Sequence, residues 1–153
     1  MRTAPKALTV SCLLVGALVQ ADSAGQSCST MLVATTAVQA STRTRDLKAP
    51  DGGIVHVSRE PLLTFDDFTS ANVTITEGQI VLNIGLTPSS SKRWVDFTAK
   101  NVGSIVAFVV DDKVVRKPRI MDPNTGSGFL IGPFSRAEGQ KLADSINHKC
   151  VKD

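Results

Sequence analysis

The chain has 153 residues, 42% of them hydrophobic and 20% charged, and a formal net charge of +3. That balance excludes disorder as the overall class and suits one modest domain with extensions. Arg2 and Lys6 fall in a segment expected to be removed, and without those two cations the charge is +1, too small to argue for a nucleic-acid partner.

The chain opens as an export signal. Arg2 and Lys6 form a basic start, Ala7 to Val19 is an apolar run, and small residues follow in Val19 to Gly25. Residues 1–21 are therefore expected to be a signal peptide. Cleavage after Ala21 puts Val19 and Ala21 at the selective positions, and cleavage after Ala24 is the alternative. The run is shorter than the roughly 20 apolar residues of a spanning helix. Export then bears on the cysteines. Cys12 leaves with the signal, and Cys28 and Cys150 stay near the two ends of the mature chain. In an oxidising compartment they form a disulfide or remain free thiols. A bridge closing so long a loop would add roughly 4–5 kcal/mol in the chain-entropy picture.

Residues 28–58 form an N-terminal segment. Cys28 to Ser41 is β-branched and apolar and predicts a strand. Thr42 to Gly53 is polar and turn-rich and predicts a loop, and Ile54 to Ser58 alternates as a short strand. This segment either adds strands to the following sheet or packs on it separately.

Residues 59–149 carry sharper signals. Thr64 caps a short helical turn, and Val73 to Leu86 predicts strands around a tight turn at Glu77 and Gly78. A helix follows from the Thr87 cap and Pro88. Trp94, Phe97, Thr98 and Asn101 share one of its faces, and Gly103 is its stop. Ser104 to Val110 is continuously apolar, as in a central strand covered on both faces. Asp111 and Asp112 make a turn, and the returning strand ends at Pro118. Met121 to Gly128 is a loop and Phe129 to Phe134 a strand. The last helix starts from a capping box of Ser135 and Glu138, with Leu142, Ala143 and Ile146 as its buried stripe. The fold class is α+β: two helices on one face of a mostly antiparallel sheet of about four to five strands, with a ferredoxin-like tendency.

This ordered series resembles the head subdomain of the first periplasmic domain of SecD and SecDF, the membrane subunits of bacterial protein export. The matching pieces are Arg59 to Val73, with its Leu-Thr pair before an acidic step; Ile80 to Ile120, with Leu-Thr-Pro, Asn-x-Gly and Pro-x-Ile; and Asp122 to Ile146, with a Gly-rich loop and Ile-x-Gly-x-Phe. They cover roughly Glu60 to Asn147. SecD subunits continue into transmembrane helices that couple export to proton flow, and no apolar run of that kind follows Val19 here. The resemblance thus implies a soluble exported binding module, periplasmic or extracellular. It would contact translocating or unfolded polypeptide, or the export complex itself.

The residues offer weaker alternatives to that role. Asp111 and Asp112 are a carboxylate pair, but at a hairpin tip they read as turn residues rather than an acid/base couple. Pro123 to Gly128 lacks the lysine and following helix of a phosphate loop. Ser89, Ser90 and Ser91 lack a nucleophile elbow. His56 and His148 stand far apart, so no metal, cofactor or catalytic site is expected. The one candidate partner surface is the basic run Arg116, Lys117 and Arg119, where alternation would put Arg116 on one face and the other two on the opposite one. Three function classes follow: a polypeptide-binding export module, a repurposed interaction domain with one dedicated partner, and an enzyme, for which nothing converges.

Overall fold

The computed structural model describes residues 29–148. The expected signal peptide, its cleavage sites, and Cys28 and Cys150 lie outside the described residues. In chain order the elements are β1 (Met31–Ala37), β2 (Thr44–Lys48), β3 (Ile54–Ser58), a 3-10 turn (Phe65–Asp67), β4 (Phe68–Thr76), β5 (Gln79–Leu86), α1 (Pro88–Lys100), β6 (Val106–Val110), β7 (Lys113–Arg116), β8 (Gly128–Ile131) and α2 (Arg136–His148).

The α+β class holds, and every strand pairing is antiparallel. The strands are more numerous than the four or five expected and divide between two sheets, ordered β2-β3-β1-β6-β7 and β4-β5-β8. Residues 29–58 supply three strands of the larger sheet. β1 runs beside β6, with Val33 opposite Phe108. β2 is the strand that Thr42 to Gly53 does not announce. It lies at an edge and buries only Thr44 and Leu47, so it has too little apolar alternation to stand out.

Alternation along β1 and β6 explains the packing. Met31, Val33, Val106 and Phe108 enter the main core, while Ala34, Ala107 and Val109 face a smaller cluster with Leu47, Val57 and Val114. Both faces of β6 are covered, as its unbroken apolar run requires. Phe129 of β8 ties the main core together. Its ring lies 5.2 Å from Trp94 of α1, 5.3 Å from Phe108 of β6 and 6.3 Å from Phe68 of β4, so one side chain joins both sheets and a helix. Leu142, Ala143 and Ile146 of α2 enter this same core.

Local chemistry sets the element ends. Thr87 Oγ1 accepts the Ser90 amide at 3.3 Å, and Pro88 occupies the first turn of α1. The helix stops at Lys100 with Asn101 as its cap, and Gly103, at φ 88°, carries the left-handed turn two residues later. Asp111 and Asp112 both have positive φ, the backbone of a two-residue type I′ hairpin. At α2, the Glu138 amide donates to Ser135 Oγ and the Ser135 amide donates to Glu138 Oε2. The outer edge of β4 is closed by a side chain: Asn147 bonds the Ala71 amide and carbonyl, each at 2.8 Å.

Candidate interaction surface

β7 forms one edge of the five-stranded sheet and β2 the other. The sheet curls so that the two approach, and exposed ion pairs tie them. Arg45 of β2 meets Asp112 at the hairpin tip at 2.7 Å, and Lys117, just past β7, meets Asp51 at 2.7 Å. The Lys117 ammonium, with the Gly53 amide, holds the Asp51 carboxyl below the usual carboxylate range.

The basic run does not form one continuous patch. A bulge interrupts the β6–β7 pairing, and the strand ends at Arg116, so the expected alternation does not extend beyond it. The Arg116 guanidinium lies over the Phe134 ring, 4.6 Å from its centroid, and its Nε is buried without a hydrogen-bond partner. Lys117 turns to Asp51, beside a depression bounded by Val38, Ile54 and His56. Arg119 donates to the Gly103 carbonyl, beside a third depression floored by Trp94 and Phe129. Each of the three cations thus borders a different hollow.

The most apolar of these hollows is a cleft of about 440 Å³ between β7, α2 and the segment after β2. Val110, Val115, Phe134 and Leu142 line it, and Lys48, Lys113, Arg116 and Lys141 bring positive charge from three elements. Glu138 also borders it. The Ser135 amide and hydroxyl, with the Arg116 charge adding to them, hold its carboxyl below the usual range. Sequence reasoning found Arg116 but missed Lys48, Lys113 and Lys141. They are scattered along the chain, and only the fold gathers them.

The remaining candidates have structural roles. Asp111 accepts the Thr30 amide at 2.9 Å. Ser90 is fully buried and donates to Asp67, whose carboxylate also receives Arg93 at 2.9 Å and the Thr64 amide at 2.7 Å. The acidic step after the Leu-Thr pair therefore anchors the start of α1. The Gly-rich loop closes on itself, with Asn124 bonding the Gly126 amide and the Gly128 carbonyl. His56 meets Asp46 at 2.7 Å, and His148 the Asp144 carbonyl at 2.8 Å. Among the described residues, no helix is long and apolar enough to cross a membrane.

A family model for the SecDF P1 head subdomain matches residues 38–148. The protein translocase subunit SecD of Dictyoglomus turgidum is 34% identical over 110 residues, covering 63% of this chain and 28% of that subunit. SecD of Thermobaculum terrenum is 33% identical over 87 residues, covering 56% of this chain and 17% of that subunit. The chain thus spans under a third of the length of either relative. The solved structure of a membrane component SecDF that enhances protein export superposes with a TM-score of 0.62 at 18% identity, over 78% of this chain and 62% of that one. SecDF in a super-membrane-facing form gives 0.63 at 20% identity, over 78% of this chain and 19% of that one. At such identities the two structures speak for the fold alone.

Proposed function

The chain belongs to the SecDF P1 head subdomain family, and from that premise we propose that it serves protein export by touching polypeptide. Its role is to contact translocating or unfolded segments, or the export complex that handles them, on the far side of the membrane from synthesis. It does so without chemistry of its own.

The family match over residues 38–148 carries this reading. The relatives it resembles are translocase subunits. The surface around β7 supports it physically. An open apolar cleft at a sheet edge, with more cations than carboxylates in its lining, can receive side chains of an extended chain. Arg116, Lys117 and Arg119 mark where that surface meets its neighbours, with Arg116 the one that borders the cleft itself.

Photocrosslinking in intact cells tests the proposal. With a photoreactive residue at position 117, the expected capture is many different exported polypeptides or components of the export complex. Clean capture of one unrelated protein would overturn the reading and make this a repurposed interaction domain.

A further inference from the structure

We propose that the cleft between β7, α2 and the segment after β2 holds a short stretch of polypeptide in which carboxylates flank one or two large apolar side chains. This deepens the export reading and rests on it.

Charge is the first argument. Lys48, Lys113 and Lys141 are exposed at the rim, and none makes an ion pair among the described residues. The two carboxylates at the cleft are already engaged, Glu138 by Ser135 and Asp111 by the Thr30 amide. The lining therefore sets four cations against these two carboxylates, and the rim keeps a net positive charge. Arg116 adds a guanidinium laid over Phe134, and its buried Nε has no acceptor. One terminal nitrogen of that guanidinium donates to the Val115 carbonyl, so the group contributes positive charge at a position fixed by stacking and by this bond.

Shape and composition choose among anionic partners. The floor of Val110, Val115, Phe134 and Leu142 is apolar, which suits side chains and not a phosphate backbone. At about 440 Å³ the cleft can admit individual side chains of a segment whose backbone lies across its open mouth. The cations come from three sides, from the end of β2, from β7 and from α2. A single-headed amphiphile would satisfy one side only. A segment with two or more carboxylates meets them together.

The test is fluorescence anisotropy with the full chain and three labelled peptides of equal length. One alternates Asp or Glu with Leu or Phe, one replaces the acids by Lys, and one replaces them by Ser. The acidic peptide is expected to bind at least about tenfold tighter than the other two, and to weaken with added salt. The double variant Lys113→Glu/Lys141→Glu is expected to lose about tenfold in affinity for it. Lys92→Glu, exposed on α1, is expected to leave it unchanged. Equal binding of all three peptides, untouched by the double variant, would overturn the cleft assignment and leave the polypeptide reading standing. No binding by any peptide would overturn both. Binding of decanoate while no peptide binds would do the same and make the occupant an amphiphile.

Discussion

Replacing Asp67 by Asn should detach the start of α1 from the turn before β4. One carboxylate oxygen of Asp67 accepts Ser90 Oγ at 2.5 Å and Arg93 Nη2 at 2.9 Å; the other accepts the Thr64 amide at 2.7 Å and its hydroxyl at 3.1 Å. Burial raises the carboxyl's pKa, but the hydrogen bonds from Ser90, Thr64 and Arg93 outweigh it and leave it below the usual range. An amide in this place must turn its NH₂ toward donors on one side. A hydrogen bond to a charged group contributes about 1.5–3 kcal/mol. Arg93 is half exposed, so its ion pair adds less than about 1 kcal/mol. The expected loss is about 2–3 kcal/mol, read by urea denaturation followed by far-UV circular dichroism. The pH dependence has a definite sign. Because the folded pKa is depressed, the Asp67 contribution is fully present above the unfolded value of about 3.9 and is lost as pH falls through the folded value. The gap between native chain and variant should therefore be whole at neutral pH and shrink at about pH 3. A gap below about 0.5 kcal/mol at neutral pH, or one that stays constant on acidification, would refute the reasoning.

Asn147→Ala removes both bonds to Ala71 and should destabilise the chain by about 1–3 kcal/mol; native-state hydrogen exchange should show the Ala71 amide losing protection, and unchanged protection would count against the edge closure. Gly128→Ala would drive its Cβ into the Ile84 carbonyl oxygen, so β5 and β8 must separate; a loss on the order of 3 kcal/mol is expected by thermal unfolding, and a native-like melting temperature would contradict the close approach. Lys117→Met should let the Asp51 carboxyl rise toward its ordinary value, as followed by NMR titration, while leaving the unfolding midpoint unchanged within error.

Much of the fold was legible because strong local signals coincide with tertiary demands. The apolar run Ser104 to Val110, the Thr87 cap with Pro88, and the Ser135–Glu138 box all stand where local chemistry predicts. β2 escaped because an edge strand that buries two residues carries no periodicity. The division into two sheets escaped because it depends on β1 finding β6, about seventy residues away, which no local pattern encodes. The surface was legible only in part. Arg116 to Arg119 stands out as a basic run, yet its three cations border different hollows, while the cleft's other cations lie on separate elements. The acidic step at Asp67 was visible as a family feature, but its anchoring of Ser90 and Arg93 required the structure.

The central claim, that this domain works by holding unfolded polypeptide, is tested most directly by titrating the full chain against one protein in two states. A secreted protein kept unfolded by reduction and alkylation of its cysteines serves as one ligand, and its native form as the other, with binding followed by isothermal calorimetry. The account predicts a Kd of roughly micromolar order for the unfolded form and no measurable binding of the native one. Equal binding of both forms, or of neither, would contradict it.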